Sequence, residues 1–317
     1  MAKVPGKPSL LLEGAGAVLR ASVSLLPWRA ALAVGGILGR LGGLLLPRKN
    51  RRVARNLLLA SGGSSRASST KVWVHASQTL IEMLWSTTRS PETVRRRMHV
   101  EGLDAFARAS SRARGILLVS AHAGNWEMVS QASTLAGLPV AVVARPLSAP
   151  WVERRLVRFR SRCGIRTLLR GESGASVAAV RWLRRGGVLG CMIDRASSGR
   201  RVALPFLGAS TNVPLGPFEL AHRTGSAVVM GVACRQHDGT TAVSFREVTD
   251  GPCPEPLEGA RASIAALEES IRPRPEQWLW IYRRQLKDER ALPPTQAGSP
   301  AELSQGDVSL SQDGTRS

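Results

Sequence analysis

The apolar run GILLVSA at residues 115–121 ends abruptly on HAGNWE at 122–127. A short apolar run bounded by a glycine-containing bend reads as a strand, and Asn125 is a helix-capping residue type placed just ahead of a helix-compatible stretch. The segment therefore predicts a strand, a tight turn at Gly124 and a helix from Asn125 onward. One continuous helix through this region is disfavoured. At about 100° per residue it would put His122 and Glu127 on different faces.

The same alternation continues along the chain. The pattern predicts a helix over 71–88, strands over 115–121 and 138–144, and helices over 125–135 and 151–163. Gly186 and Gly187 stop a helix ahead of a strand over 188–193 that ends at Asp194. A helix over 217–224, with proline near its start and Gly225 past its end, leads into a strand over 227–234. A hairpin through Asp238 and Gly239 and a helix over 258–271 follow. The expected fold is α/β, with a mixed, mainly parallel central sheet flanked by helices. A hydrophobic, membrane-associating helical segment precedes it. We place boundaries at 1–56 for that segment, 57–287 for one α/β domain and 288–317 for a disordered Ser-, Gly- and Pro-rich tail.

The strand–turn–helix unit brings chemistry into view. If the chain bends at Gly124, Glu127 in the first helical turn folds back toward His122. The imidazole then takes a proton from a hydroxyl while the carboxylate fixes its tautomer. The competing reading makes Asn125 a plain N-cap, Glu127 a residue favoured by the helix dipole and His122 a hydrogen-bonded strand end. Asp194 also ends a strand, and ligands of α/β sheets bind at that edge, so it shares a pocket with His122 or is simply a turn residue. In the helix over 151–163 the apolar stripe is Val152, Leu156, Phe159 and Cys163. Arg160 lies on its border, where an unpaired guanidinium is costly, so it requires an anionic partner. That partner is either a buried carboxylate or a bound phosphate.

Forty-four Lys and Arg against 23 Asp and Glu give a formal charge of +21. Such a balance suits phosphates, anionic membrane lipids or an acidic protein, and equally reflects arginine-rich coding. No nucleic-acid-binding signature accompanies it, and no nucleic-acid partner is expected. The four cysteines form no CxxC pair and the five histidines are scattered, so reduced thiols and no metal are expected. Near the N-terminus, Arg20, Arg29 and Arg40 divide the apolar residues into pieces shorter than the roughly 20 needed to span a bilayer. Residues 25–46, followed by Arg48, Lys49, Arg51, Arg52 and Arg55, instead suggest an interfacial or re-entrant anchor on an anionic surface. An amphipathic hairpin packed on the domain is the alternative.

HAGNWE resembles the histidine and acidic-residue motif of the lysophospholipid acyltransferase superfamily, and in particular the lipid A biosynthesis acyltransferase family. RRVARNL (51–57), ARP (144–146), RSRCG (160–164), MID (192–194), LPFLG (204–208) and PEQWLWIYRR (275–284) follow in the family's order. Arg195 stands where the family commonly has glutamine, and Tyr282 where relatives carry histidine. The resemblance implies transfer of a fatty acyl chain from an acyl thioester, of acyl-carrier protein or coenzyme A, to a hydroxyl of a lipid A precursor, with no cofactor. It implies His122 and Glu127 as catalytic residues, Asn125, Arg145, Arg160 and Asp194 as substrate-binding residues, and a location at the cytoplasmic face of a bacterial inner membrane. Acylation of phosphatidylinositol mannoside or another glycolipid is the nearest alternative. A noncatalytic basic membrane or nucleic-acid binder is the alternative of a different class.

Overall fold

A computed structural model describes residues 10–60, 68–147, 149–194 and 199–281. The expected tail over 288–317, together with Arg195, Tyr282, Arg283 and Arg284, lies outside the described residues. Helices α1 (Leu10–Leu25), α2 (Trp28–Leu45) and α3 (Pro47–Ala60) open the chain, followed by α4 (Ser69–Ser86) and α5 (Pro91–Arg95). Strand β1 (Met98–Glu101) and helix α6 (Asp104–Arg112) precede β2 (Ile116–Ser120) and α7 (Trp126–Ser133). Then come β3 (Val140–Ala144), α8 (Pro150–Arg162), β4 (Ile165–Leu169), α9 (Ala175–Arg184) and β5 (Val188–Met192). A hairpin of β6 (Arg201–Phe206) and β7 (Ala209–Pro214) leads to α10 (Gly216–Thr224), β8 (Ala227–Arg235), β9 (Thr241–Pro252) and α11 (Pro256–Ile271).

Seven strands of the described residues form one sheet in the order β1-β9-β8-β2-β5-β3-β4. Every neighbouring pair is parallel except β8 with β9, so the expected mixed, mainly parallel sheet is what the chain forms. Strand β2 is buried along its whole length. Leu117 and Val119 enter one core, with α9, α10, α11, Trp278 and Trp280, while Ile116 and Leu118 enter a second, with α4, α6, α7 and α8. Burial on both faces is why this run is apolar without alternation.

The local signals have identifiable structural counterparts. Asn125 caps α7 by accepting the Glu127 N–H, and Gly225 ends α10 in the left-handed region at φ 65°. The reversal at Asp238 and Gly239 joins antiparallel β8 and β9, with Asp238 accepting the Thr240 N–H. The sequence pattern does not predict edge strands β1 and β4 or the β6–β7 hairpin. In β4 the buried positions do not alternate, and β6 carries Pro205, a residue type that argues against a strand interior.

The N-terminal helices are two-sided. Trp28, Ala31 and Leu32 of α2 are buried in the second core, whereas Ile37, Leu38, Leu41, Leu44 and Leu45 of the same helix are exposed. Among the described residues no single helix is long and apolar enough to cross a membrane; α2 and α3 satisfy that test only as a pair bent by 102°. Close approach of α2 to α4 rests on glycine. A Cβ at Gly39 would lie 2.5 Å from Val74 Cα and 2.6 Å from the Trp73 carbonyl oxygen, and one at Gly35 would lie 2.8 Å from Gln78 Cα. These are backbone atoms that no rotamer change can move aside. Gly39→Val should therefore force the helices apart and destabilise the protein by about 1–3 kcal/mol. Thermal unfolding against Gly42→Val, which meets only the Trp73 ring, checks this; equal midpoints would show that the backbone contact is not limiting.

Candidate active site

Strands β8, β2, β5, β3 and β4 run parallel, so their carboxyl ends share one edge of the sheet. Arg235, His122, Asp194, Arg145 and Arg170 are at or just beyond those ends. After β2 the chain turns sharply. Gly124 has φ 52°, and a Cβ there would lie 2.2 Å from the Ala233 carbonyl oxygen, so both conformation and space require glycine. The turn is held from below and from the side. Thr79 Oγ1 donates to the Gly124 carbonyl at 2.9 Å, and Gly124 N–H donates to the Gln277 carbonyl at 3.0 Å.

The partner of His122 is Asp194. Imidazole Nδ1 lies 2.8 Å from Asp194 Oδ1, and the His122 backbone N–H donates to Asp194 Oδ2 at 2.8 Å. The Trp278 indole N–H donates to that same Oδ2 at 2.7 Å. Because a carboxylate only accepts, a neutral His122 carries its proton on Nδ1 and leaves the Nε2 lone pair for another donor. Nε2 has no hydrogen-bond partner among the described residues and is not enclosed. The imidazole side chain is 15% exposed while the Asp194 side chain is 0% exposed, so the acceptor is hidden and the ring reaches solvent. Trp126 packs edge-on against the ring at 5.0 Å between centroids.

The expected hydrogen bond from the His122 ring to the Glu127 carboxylate does not form. Glu127 is instead gripped by Arg160, whose Nε donates to Oε2 at 2.8 Å and whose Nη2 donates to Oε1 at 2.5 Å. The anionic partner that Arg160 requires on the border of its apolar stripe is this buried carboxylate. Burial opposes the Arg160 charge, but Glu127 outweighs it and holds the guanidinium above its usual range. Asn125 is buried and occupied as the α7 cap rather than facing an open site. Asp194 lies beside the imidazole at the strand-end edge, the shared pocket rather than the plain turn residue of its two readings. Arg145 is exposed just past β3, on the same edge as His122 but with β5 between their strands.

Backbone amides around Gly124 are not open donors. The N–H groups of His122, Ala123 and Gly124 go to Asp194, Ala121 and Gln277 respectively. A second buried ion pair, missed from sequence, lies beneath the turn: Arg235 Nη2 donates to Glu82 Oε2 at 2.6 Å and to Thr79 Oγ1 at 3.2 Å. A carboxylate within the largely apolar face of α4 and an arginine ending an apolar strand were its available signals. Burial raises the Glu82 carboxyl, with the Arg235 charge opposing. His75 beside it is lowered to about 4 by burial first and then by the charges of Arg235, Lys71 and Arg274. It is therefore neutral near pH 7, with Nδ1 facing Arg235 at 3.4 Å. Among the described residues no cluster of His, Cys, Asp and Glu is arranged to hold a metal ion, and the four cysteines are unbridged.

Comparison with known proteins places the chain in a family. The family model for bacterial lipid A biosynthesis acyltransferases matches residues 7–287. The chain is 29% identical over 220 residues to the lipid A biosynthesis palmitoleoyltransferase of Escherichia coli, covering 65% of this chain and 66% of that protein. It is 28% identical over 132 residues to a phosphatidylinositol mannoside acyltransferase of Mycobacterium tuberculosis, covering 41% of this chain and 42% of that protein. The corresponding protein of Mycolicibacterium smegmatis is 29% identical over 133 residues, 41% of this chain and 44% of that protein. The matches thus span less than half the length of the mycobacterial relatives. With the family model covering most of its length, the chain belongs to the bacterial lipid A biosynthesis acyltransferase family.

Proposed function

We propose that this protein transfers a fatty acyl chain from an acyl thioester to a hydroxyl of a glycolipid, with a lipid A precursor as the acceptor. The observation that carries the reading is the His122 imidazole fixed at Nδ1 by buried Asp194, with Nε2 unoccupied. Nε2 removes the acceptor hydroxyl proton as its oxygen attacks the thioester carbonyl. The tetrahedral intermediate collapses with cleavage of the C–S bond, and the imidazolium returns the proton to the departing thiolate. Asp194 stabilises the imidazolium in this scheme, the role first expected of Glu127. No acyl-enzyme is formed. The thioester, carried by an acidic acyl-carrier protein or by coenzyme A, is a co-substrate.

The lipid A acceptor is favoured by the family model and by the wider coverage of the Escherichia coli relative. The mycobacterial similarities support a second reading, in which the acceptor is a phosphatidylinositol mannoside. Mass spectrometry of cellular lipids after deletion distinguishes them, because the lipid that loses an acyl group names the acceptor.

The protein works, on this reading, at the cytoplasmic surface of the bacterial inner membrane. Leu44 and Leu45 of α2 are 75% and 76% exposed, and α3 presents Arg48, Lys49, Arg51, Arg52 and Arg55 to solvent beside them. Exposed apolar residues next to cations suit the boundary between acyl chains and anionic headgroups.

Three outcomes follow. His122→Ala should lower turnover of a labelled acyl thioester by about 10²–10⁴-fold with unfolding unchanged, whereas near-normal turnover would exclude it as the base. Arg160→Ala leaves Glu127 buried without its counter-charge and should cost about 3–5 kcal/mol of stability in chemical denaturation. A loss of activity alone, at unchanged stability, would point back to a phosphate-binding role. Leu41→Ser, Leu44→Ser and Leu45→Ser together should reduce flotation with phosphatidylglycerol vesicles several-fold. Unchanged flotation would place the membrane contact elsewhere.

A further inference from the structure

We infer that Trp278 is a positioning residue for this reaction, acting through Asp194 to set the orientation and basicity of His122; the inference rests on His122 being the base. Trp278 belongs to the segment after α11, a 3-10 turn over Pro275–Gln277 and the residues beyond it. The ring is buried, and that alone says only that it packs. What sets it apart is where its N–H goes.

A buried indole N–H needs an acceptor, and a backbone carbonyl is sufficient. Neighbouring Trp280 takes that ordinary solution, donating to the Pro275 carbonyl at 2.7 Å. Trp278 instead donates at 2.7 Å to Asp194 Oδ2, the oxygen that also accepts the His122 backbone N–H. With Oδ2 held by two donors, the carboxylate cannot rotate freely, and Oδ1 is directed at imidazole Nδ1. The indole is itself fixed from two sides. Its backbone is tied to the histidine turn by a bridge between Ala123 and Trp278, with Leu279 N–H donating to the His122 carbonyl at 2.9 Å. Its ring meets Phe206 of the β6–β7 hairpin and Trp280 edge-on, at 5.1 and 4.4 Å between centroids. Turn, carboxylate and indole thus share one frame.

The chemical consequence has a definite sign. Without the indole donor, the charge of buried Asp194 is less satisfied and attracts the imidazolium proton more strongly, so His122 should become more basic. A less constrained carboxylate also orients the ring less well, which lowers the rate of proton removal without removing a contact to either substrate.

The test uses the full chain with Trp278→Phe, and Trp280→Phe as the control that trims a ring in the same cluster. Two readouts are taken: the NMR titration of His122 in histidine-labelled protein, and kcat and KM with acyl-coenzyme A varied against a bacterial lipid extract. In Trp278→Phe the His122 midpoint should rise by about one pH unit and kcat fall about tenfold, with KM within about twofold. Trp280→Phe keeps an aromatic ring against the indole and leaves the Trp278 N–H on Asp194, so its midpoint should stay within about 0.3 pH unit and its kcat within about twofold of the parent protein. Unchanged titration and kcat in Trp278→Phe, or equal changes in both variants, would overturn the inference. If Trp278→Phe does not fold, benzothienylalanine at position 278 keeps the ring shape, lacks the donor and is read the same way. Persistence of activity in His122→Ala would instead sink the underlying reading, a result separable from the titration.

Discussion

A carboxylate with no exposed side-chain surface has to find its hydrogen-bond donors inside the protein, and among the described residues Asp194 finds them on two separate segments. The His122 ring, the His122 backbone and the Trp278 indole all converge on it. These groups belong to chain segments separated by 72 and 84 residues. They meet only because β2 and β5 are hydrogen-bonded parallel neighbours and the segment after α11 lies against the end of β2. The order of strands in the sheet is therefore also the order that assembles the site.

Two further buried ion pairs frame the same turn. Glu127 with Arg160 ties the start of α7 to α8, and Glu82 with Arg235 ties α4 to the end of β8. Such pairs add little net stability compared with apolar packing, but an uncompensated member is costly, so each makes alternative packings of these elements unfavourable. The effect is to hold the HAGN turn in one conformation at the sheet edge. The two arginines involved are few against the chain's excess of cations. Among the described residues, Arg235 is the one buried Lys or Arg, and the others reach solvent at least in part, including the basic row on α3 beside the exposed leucines of α2.

Much of this architecture was readable locally. Apolar runs identified β2, β3, β5 and β8, while a capping asparagine and a C-terminal glycine bounded α7 and α10. Arg160 announced itself as a cation on the border of an apolar stripe, because helical periodicity fixes which face a residue occupies. Of the N-terminal helices, α2 packs one face into the core, as a hairpin docked on the domain would, and leaves the apolar side chains of its other face exposed.

Sequence alone determined that a histidine ends a buried strand, that a glycine turn follows, and that an acidic residue begins the next helix. Those features depend on residues a few positions apart, where periodicity, capping and backbone freedom operate. Which carboxylate meets the imidazole was decided by tertiary structure. Glu127 is near in sequence but is turned to Arg160, whereas Asp194 arrives from the adjacent strand with Trp278 behind it. Strand order and the path of the closing segment are set by packing across the whole sheet, and five residues of local spacing do not encode them.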